Sequence, residues 1–479
     1  PNILILLTDD QQADAIAALG NEHIATPHMD TLVRDGLAFT NAYVMGARHG
    51  AVCMPSRAML LTGRHLFSLP QSVTETWSVP PAERGVCPDP TFPELLRDAG
   101  YETCFTGKWH NGRRLFARGF TAGDAIFFGG MSDHDRVPAH AFDPSGVYPR
   151  TAAERDRGFS STIFAQAAVE YLQDREPRDD PFLLYVSFTA PHDPRTPPPP
   201  YDAQYDPDQL PLPPSFLPEH PFPIGDLKIR DEKLASWPRT PAVVRAHLAA
   251  YYGMLSHLDA QLGRIFAALD AAGERDDTIV ILASDNGLAV GRHGLLGKQN
   301  VYEHSSRVPL VIAGPGIPRG ERSNALVYLH DVMPTICDLT GIPTPAGVEA
   351  RSLAPIIRGE RRAVRDTLLL AYDTDAEVKR PVGDEGRGIA MTERTTATMT
   401  SIPRGSLRAL RVGSWKLIRT RFDDHRHTLL FDLDADPHET TNLAANPTPD
   451  HAARIERMTT GLHAAMHATG DDLPPADRP

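Results

Sequence analysis

The sequence has few cysteines and no long hydrophobic run. Its four cysteines in 479 residues show no CxxC or other metal-type spacing, and a chain of this length can bury a core without a framework of disulfides. No stretch of about 18 apolar residues occurs, so we expect no membrane-spanning helix. The charged segment of a signal peptide is also missing, although the chain opens inside a strand-like run at Pro1 and an export signal could have been trimmed. We therefore expect a soluble protein and leave its compartment open between periplasm and cytoplasm.

Positive charge is scarce relative to negative charge. The 48 lysines and arginines against 61 aspartates and glutamates give a formal net charge of −13, with the acidic residues spread along the chain. This balance argues against a general binder of nucleic acid or of an anionic membrane. An anionic substrate would have to meet a local basic pocket. With 41% hydrophobic and 23% charged residues, the composition is otherwise that of a globular protein, and its length favours two domains.

Apolar strands alternate with helices along the first part of the chain. Residues Asn2–Thr8 form a short apolar run of the kind that is buried on both faces of a sheet. Apolar residues at steps of three and four between Val243 and Gly273 predict a long helix, and a strand follows at Thr278–Ala283. This alternation favours an α/β fold with a large, mostly parallel mixed sheet flanked by helices. In such sheets, ligand sites gather beyond the carboxyl ends of the strands.

Two changes in composition divide the chain. Residues 191–241 are rich in proline and predict an irregular excursion over the surface, near the cleft of a domain that spans residues 1–364. From residue 365 onwards, short strand-like segments predict a smaller C-terminal α+β domain, residues 365–479, with a short antiparallel sheet. We find no internal repeat. The predicted organisation is therefore a large α/β domain followed by a small one.

Polar residues follow two of the predicted strands. Asp9 and Asp10 end the first strand, and Asp285 and Asn286 end a later one in the same way. Adjacent aspartates at a strand end are often only a solvated turn. Four oxygen donors on neighbouring strand ends, however, would suit a hard divalent cation. These residues alone therefore predict either two polar turns or one metal site.

One cysteine stands in a distinctive setting, the segment from Cys53 to Arg57 that reads Cys-Met-Pro-Ser-Arg. A sulfur beside a fixed arginine is suited to act as a nucleophile, because a nearby cation favours the thiolate. A cysteine before a helix is also a common buried structural residue, small and apolar. Chemistry alone leaves both interpretations of Cys53 open. Cys87, Cys104 and Cys337 are interpreted as structural.

The same segment carries a resemblance to a known family. Cys-x-Pro-Ser-Arg, continued by Leu-Thr-Gly-Arg as far as Arg64, resembles the signature of the type I sulfatases of the alkaline phosphatase-like superfamily. The resemblance extends over almost the whole chain, including the Gly-Lys-Trp-His and Ala-Pro-His elements, Ser284–Pro309 and the stretch from Leu430 to Leu443. It implies an alkaline phosphatase-like fold and a hydrolase. It also implies that Cys53 is converted after translation to formylglycine (3-oxoalanine) by a formylglycine-generating enzyme.

The resemblance also assigns a metal site. The family's calcium ligands fall on Asp9, Asp10, Asp285 and Asn286, and the modified Cys53 completes the shell. Calcium is favoured over magnesium because several direct protein oxygens leave few places for the waters that magnesium retains. Ca²⁺ and formylglycine are therefore the expected cofactors.

Five further residues match catalytic positions of the family. Lysines are usually solvated and silent, but Lys108 and Lys298 together offer the positive charge that a sulfate needs, and by analogy both stabilise charge on the sulfate oxygens. Arg57 would orient the nucleophile and stabilise its charge. His110 would assist at the gem-diol, and His192 would bind sulfate and protonate or steady the leaving oxygen. The identity of the leaving-group acid stays open.

Two other histidines carry weaker signals. His293 lies near Lys298 in the sequence and is predicted to line the substrate pocket, although a hydrogen bond within its loop is an equal alternative. His257 falls on the polar side of the long helix and is predicted to be a surface residue. Of the two, only His293 is placed at the predicted site, as a substrate-binding residue.

The predicted activity is hydrolysis of a sulfate ester by the family's mechanism. A gem-diol oxygen held on calcium attacks sulfur, the alcohol departs, and the second hydroxyl expels sulfate. The chain resembles many bacterial carbohydrate sulfatases, so we expect a sulfated saccharide as substrate. One alternative is a phosphonate or phosphate ester hydrolase of the same superfamily, although Pro55 fits the sulfatases better. Another is a non-catalytic sulfated-glycan-binding protein, which would not require the whole catalytic set.

Overall fold

The computed structural model describes the chain except residues 176–179, 223, 225–226, 228, 375–404, 423–424, 472 and 474–479. Parts of the predicted 191–241 excursion and of the predicted C-terminal domain therefore lie outside the described residues. In chain order, the described strands are β1 (Asn2–Asp9), β2 (Gly36–Phe39), β3 (Ala42–Tyr43), β4 (Gly46–Ala47), β5 (Glu102–Lys108), β6 (Ala122–Phe127), β7 (Phe182–Pro191), β8 (Thr278–Ser284), β9 (Arg307–Val308), β10 (Leu310–Ala313), β11 (Glu321–Ser323), β12 (Val327–Tyr328), β13 (Thr367–Thr374), β14 (Gly405–Val412), β15 (Trp415–Phe422) and β16 (His425–Asp432).

Helices separate most of these strands. The described α-helices are α1 (Pro27–Asp35), α2 (Cys53–Thr62), α3 (Gln71–Thr74), α4 (Phe92–Asp98), α5 (Arg113–Gly119), α6 (Ser160–Asp174), α7 (Pro241–Ala271), α8 (Glu303–Ser306), α9 (Val332–Thr340), α10 (Ala354–Ile357) and α11 (Pro449–Ala468). Local sequence signals account for several of their starts. Thr91, for example, caps α4 in a capping box with Glu94, which satisfies backbone N–H groups that the first turn leaves free.

The largest sheet has eight strands in the order β11-β2-β10-β8-β1-β7-β5-β6. Its neighbours pair in parallel, except that β10 runs antiparallel to both β8 and β2. Because successive side chains of a strand point to opposite faces, Leu4 and Leu6 of β1 pack with α6 and α7, whereas Ile3 and Ile5 face the core that contains α2 and α9. The predicted large, mostly parallel mixed sheet flanked by helices is confirmed.

Helix α7 is the long helix that the apolar spacing predicts. It spans 31 residues, begins after the capping residue Thr240, and buries an apolar stripe that includes Leu255 and Leu262. Despite its length, neither α7 nor any other helix in the described part of the chain combines the length and apolar character needed to traverse a lipid bilayer.

The same helix corrects one prediction, the surface position of His257. The side chain is buried, with 4% of its surface exposed. Its ring lies against Phe159 and Tyr201, and its Nε2 is 3.2 Å from the hydroxyl of Thr162 in α6. The prediction was wrong because α6 and the proline-rich segment cover this side of α7, and a helical pattern does not show what packs on its polar side.

A second sheet brings together β16, β15, β14, β13 and β4 in that order. Its four C-terminal strands pair antiparallel, as predicted for a small C-terminal sheet. The fifth strand, β4 (Gly46–Ala47), comes from the other end of the chain and lies parallel to β13. The segment that leads into Cys53 is therefore attached to the C-terminal sheet. The domain boundary at residue 364 stays a prediction.

Candidate active site

Four neighbouring parallel strands, β8, β1, β7 and β5, end at one edge of the large sheet. Because parallel strands place their carboxyl ends together, polar residues that are distant in sequence meet at this edge. The residues at or just beyond these ends are, strand by strand, Asp285 and Asn286, Asp9 and Asp10, His192, and Lys108. The structure thus brings four of the predicted metal ligands and two of the predicted catalytic positions into one region.

Helix α2 brings the predicted nucleophile to the same edge. It begins at Cys53 and runs to Thr62, and all its residues are buried. Pro55 stands in the first turn, where its missing N–H leaves no intrahelical hydrogen bond unmade. Arg57 follows Cys53 by one helical turn, so the two side chains leave the same side of the helix. The motif spacing therefore directs a sulfur and a guanidinium towards the strand ends together.

The guanidinium of Arg57 reaches residues on or next to all four strands. Its Nε donates to Asp285 Oδ2 at 2.7 Å, and its Nη1 donates to the carbonyl of Lys108 at 3.0 Å and to the hydroxyl of Ser187 at 2.6 Å. Its Nη2 lies 3.6 Å from Asp9 Oδ2. These contacts hold α2 against the sheet and balance the charge of two buried carboxylates.

Two buried lysines face Cys53 and the aspartates. Lys298 Nζ lies 2.9 Å from the sulfur of Cys53 and also pairs with Asp10. Lys108 Nζ pairs with Asp9, and the Cys53 sulfur lies 3.4 Å from Asp9 Oδ1. A buried ammonium requires such a partner, because it has lost its hydration. The site therefore contains the local positive charge that an anionic substrate needs in an acidic protein.

The carboxylates in the site differ in their proton affinity. Burial opposes ionisation of Asp9, but Lys108 and the other cations outweigh it and lower its pKa well below the usual range. Burial raises the pKa of Asp10 to about 8 against the attraction of Lys298, and Asp9 and Asp285 add to the rise. Burial also opposes the charge on Lys298, but Asp10 raises the pKa of this lysine well above its ordinary value. Asp9 is therefore ionised and Lys298 protonated at neutral pH.

The sulfur of Cys53 is not an activated thiolate. Burial raises the pKa of the thiol, and Asp285 and Asp9 raise it further against the two lysines. The expectation that a neighbouring cation favours the thiolate is therefore wrong for this set of side chains, because desolvation and two carboxylates outweigh the cations. Since the thiolate is the nucleophilic form, an unmodified Cys53 is a weak nucleophile at neutral pH.

Oxygen atoms that lack partners lie among these groups. Asp10 Oδ2 and Asn286 Oδ1 are buried and have no hydrogen-bond partner among the described residues, an arrangement that is costly unless a ligand completes it. Ligand atoms of Asp9, Asp10, Cys53 and His192 all lie within 4.8 Å of one another. A buried set of carboxylate and amide oxygens fits a hard cation such as Ca²⁺.

Two histidines flank this set. His192 Nδ1 donates to the carbonyl of Asp193 at 2.8 Å, which leaves Nε2 directed to the site, 3.9 Å from Asp10 Oδ2. Burial lowers the pKa of His192 to about 4, and Lys298 adds to this effect. His110 Nδ1 is buried without a partner among the described residues, and burial lowers the pKa of His110 well below its ordinary value. Both rings are therefore neutral near pH 7.

His293 has a different environment. It is buried, its ring stacks on Tyr302 with a centroid distance of 4.2 Å, and the ring of His304 lies 5.5 Å away. These contacts lie in the region that follows β8, in line with the alternative of a residue that supports its own loop. The role of His293 in substrate binding stays a prediction.

Some residues at or next to the predicted site were not predicted from the sequence. They are Ser187, Asp193, Arg230, Asp231 and Gln299. Ser187 lies within the apolar run of β7, so no motif marks it as a site residue. Arg230 lies in the proline-rich segment, where the sequence has no periodic pattern. Adjacency to a predicted catalytic residue was the one available signal, and it applied to Asp193 and Gln299.

Comparison with known proteins shows which family this chain resembles. The family model for sulfatases matches residues 1–342. An ulvan-active sulfatase of Formosa agariphila is 27% identical over 490 residues, which cover 100% of this chain and 83% of that protein. An N-acetylglucosamine-6-O-sulfatase of Bacteroides thetaiotaomicron is 26% identical over 514 residues, which cover 92% of this chain and 82% of that protein.

Solved structures share the fold. A protein in complex with its substrate D-glucosamine-2-N,6-O-disulfate superposes with a TM-score of 0.73 at 22% identity, over 99% of both chains. The phosphonate monoester hydrolase of Agrobacterium radiobacter superposes with a TM-score of 0.71 at 23% identity, over 98% of this chain and 96% of that chain. With the family match, these findings show that the chain belongs to the type I sulfatases of the alkaline phosphatase-like superfamily and is a sulfuric ester hydrolase.

Proposed function

We propose that this chain hydrolyses a sulfate ester on a sulfated saccharide, with formylglycine formed from Cys53 as the nucleophilic group and Ca²⁺ as the metal. The observation that carries the proposal is the contact of Cys53, Lys108 and Lys298 with Asp9 and Asp10, in a site where oxygens of Asp10 and Asn286 have no hydrogen-bond partner among the described residues. A sulfate ester is a compact anion. This set offers it fixed cations in a chain whose net charge is −13.

Two features support the modification of Cys53. The raised pKa of the thiol makes the unmodified side chain poorly suited to the reaction, and Cys53 begins the motif that resembles the family's modification site. When present, formylglycine supplies a hydrated aldehyde with one hydroxyl for attack and a second that allows later release of sulfate by C–O cleavage. A formylglycine-generating enzyme is the implied partner in maturation.

The proposed calcium ligands are Asp9, Asp10, Asp285 and Asn286, together with the modified side chain at position 53. When bound, the ion supplies Lewis-acid stabilisation of negative charge and lowers the pKa of a coordinated hydroxyl. One oxygen each of Asp10 and Asn286, which has no hydrogen-bond partner in the described part of the chain, supports this assignment. Arg57 would balance the part of the carboxylate charge that the calcium ion leaves unbalanced.

Lys108 and Lys298 are proposed to bind the sulfate oxygens. Their ammonium groups are held by Asp9 and Asp10 before any substrate arrives. Preorganised cations stabilise charge that develops in the transition state without the cost of reorganisation. Arg57 is proposed to hold the nucleophile helix in register with the strand ends.

The two histidines, His110 and His192, are proposed to transfer protons and to bind the substrate. His192 keeps its Nδ1 proton on the carbonyl of Asp193, so Nε2 is the nitrogen that faces the site. Once Nε2 also carries a proton, the ring can bind sulfate and protonate or steady the leaving oxygen. His110 Nδ1 has no hydrogen-bond partner among the described residues, and His110 is proposed to take a proton from the nucleophilic group, since a neutral imidazole is a competent base. His293 is proposed only as a lining residue.

The saccharide part of the proposal rests on the relatives. The ulvan-active sulfatase and the N-acetylglucosamine-6-O-sulfatase are named for carbohydrate substrates, and both match more than nine tenths of this chain. We therefore propose a sulfated sugar in preference to an aryl or alkyl sulfate.

Mass spectrometry of the peptide that carries Cys53 tests the proposal, with protein produced in a host that has a formylglycine-generating system. We expect an aldehyde or its hydrate at position 53, and release of sulfate from at least one member of a panel of defined sulfated sugars. The Cys53→Ala variant controls for a contaminating sulfatase. An unmodified thiol, with a reference sulfatase modified in the same host, would contradict the proposal.

Hydrolysis of a phosphonate or phosphate ester is the second candidate. The phosphonate monoester hydrolase of Agrobacterium radiobacter shares the fold, and the same lysines and metal would hold a phosphoryl group. Values of kcat/KM for a sulfate and a phosphonate ester of one alcohol distinguish the candidates, and a higher value for the phosphonate would overturn the sulfate assignment. Binding of sulfated glycans without release of sulfate would point to the non-catalytic alternative.

A further inference from the structure

Four residues outside the proposed catalytic set form a continuous chain of hydrogen bonds and ion pairs, here called the bridging network. They are Asp193, Arg230, Asp231 and Gln299. They come from the turn after β7, from the proline-rich segment and from the loop that contains Lys298. The two aspartates and the glutamine are buried, whereas 37% of the Arg230 side chain is exposed.

Arg230 is the centre of the bridging network. Two of its nitrogens contact Asp193, Nη1 at 2.8 Å from Oδ2 and Nη2 at 3.1 Å from Oδ1. Its Nε donates to Asp231 Oδ1 at 3.1 Å. A planar guanidinium can join two carboxylates in one fixed geometry, which a lysine ammonium cannot reproduce. Arg230 therefore sets the position of Asp193 relative to Asp231.

One arm of the network ends at His192. Asp193 Oδ1 lies 3.4 Å from His192 Nδ1, the same nitrogen that donates to the Asp193 carbonyl at 2.8 Å. Arg230 thus holds a carboxylate beside the ring nitrogen that is turned away from Asp10. A carboxylate in this place orients an imidazole and stabilises the positive charge that forms when the ring carries a second proton.

The other arm ends at Lys298 and at the loop before Cys53. Gln299 Nε2 donates to Asp231 Oδ2 at 2.8 Å and to the carbonyl of Gly50 at 3.0 Å. Gln299 Oε1 accepts from the backbone N–H of Lys298 at 2.9 Å. Gln299 therefore links the loop that contains Lys298 to the loop that precedes Cys53. The 2.9 Å contact between Lys298 Nζ and the Cys53 sulfur joins the same two segments.

We propose that Arg230 is a positioning residue for the hydrolysis. Through Asp193 it orients His192, and through Asp231 it fixes the loop of Lys298. In this proposal Arg230 does not bind the sulfate itself, since its guanidinium is held by Asp193 and Asp231. The inference rests on the proposed function and gives the proline-rich segment a part in catalysis.

Arg230→Met tests the proposal on two sulfate esters, one with a nitrophenol and one with a sugar hydroxyl as the leaving group. A sugar alkoxide needs a proton as it departs, whereas nitrophenolate leaves without one. Misorientation of His192 should therefore lower kcat for the sugar sulfate about 100-fold, and kcat for the nitrophenyl ester roughly tenfold or less. A variant that merely folds less well would lose the same factor on both esters.

Two single-arm variants separate the contributions on the sugar sulfate alone. Asp193→Asn keeps the shape of the side chain but removes the carboxylate near His192, so we expect kcat to fall while KM stays within about twofold. Asp231→Asn loosens the loop of Lys298, so we expect mainly a higher KM. The converse pattern, or an equal change in kcat and KM for both variants, would overturn the two-arm assignment.

Arg157→Met is the matched control. The side chain of Arg157 is 27% exposed and also lies between two carboxylates, those of Asp124 and Glu154. We expect its kcat and KM to equal those of the wild type. An equal loss on both esters in Arg230→Met, or a loss matched by Arg157→Met, would overturn the proposal. A wild-type enzyme that releases no sulfate from any ester would instead contradict the proposed function, so the two failures are distinguishable.

Discussion

The ammonium of Lys298 lies 2.9 Å from the sulfur of Cys53, although 245 residues separate the two in sequence. The loop that contains Lys298 follows strand β8, and Cys53 begins helix α2. Both lie at one edge of the large sheet. A cation is therefore in contact with the proposed nucleophile in the folded protein before a substrate binds.

Replacement of Lys298 by methionine should remove a sulfate ligand and a stabiliser of transition-state charge. We expect kcat/KM to fall by about two to three orders of magnitude, and inorganic sulfate to inhibit more weakly. Steady-state kinetics with sulfate as inhibitor measures both. The exposed Lys233→Met is the control, and an unchanged inhibition constant for sulfate in Lys298→Met would contradict the assignment.

Replacement of Cys53 by alanine should abolish turnover while the fold is kept. We expect a loss of at least about 10⁴-fold, because the group that forms the covalent bond is removed. Cys87→Ala removes a cysteine outside the site and should retain activity. Release of sulfate by each purified variant is the measurement. Full turnover by Cys53→Ala would exclude formylglycine as the nucleophile.

Replacement of Arg57 by glutamine should lower the free energy of unfolding by about 3–5 kcal/mol, because Asp285 loses its buried partner and Asp9 keeps only Lys108. Urea denaturation measures the change. Arg319, which pairs with Asp35 at the surface with 75% of its side chain exposed, is the control. Its glutamine variant should change stability by roughly 0.5 kcal/mol or less, and an equal loss in both variants would contradict the role of Arg57.

Removal of calcium should destabilise the protein as well as inactivate it. An ion at 100 times its dissociation constant contributes about 2.7 kcal/mol, so a chelator should lower the melting temperature and added Ca²⁺ should restore it more fully than Mg²⁺. Asp10→Asn should abolish this response. A melting temperature that is insensitive to the chelator and to Ca²⁺ in the wild type would argue against a calcium site.

Acid should destabilise the protein partly through His257. Burial lowers the pKa of this residue from 6.5 to about 4. Below pH 6.5 the unfolded chain therefore takes up a proton that the folded chain does not, and the free energy of unfolding falls as the pH drops towards 4. The full effect is about 3 kcal/mol.

His257→Gln should remove that part of the pH dependence. Urea denaturation at several pH values between about 4 and 7 measures the slope. The exposed His23→Gln is the control and should keep the slope of the wild type. Parallel curves for the wild type and His257→Gln would show that the folded ring takes up its proton as readily as the unfolded one.

Local patterns predicted most of the elements and the place of the site. The apolar run of β1, the capping box of α4 and the spacing within α7 are local features, and parallel strand ends place Asp9 and Asp285 together. The family resemblance supplied the proposed roles. Patterns could not show that His257 is covered, or that two carboxylates outweigh the lysines around Cys53, because both depend on what packs there from distant segments.

The pairing of β4 with β13 has a consequence for when the proposed modification of Cys53 can occur. Cys53 is 3% exposed at the head of a wholly buried helix, so the proposed formylglycine-generating enzyme would have to act before the chain closes around it. The strand just before Cys53 pairs with Ala371 and Tyr372. Because about 320 residues intervene and a ribosome adds roughly 5–20 residues per second, this pairing is delayed by tens of seconds. The segment that leads into Cys53 can therefore pair with the C-terminal sheet only late in synthesis, after β13 has been made.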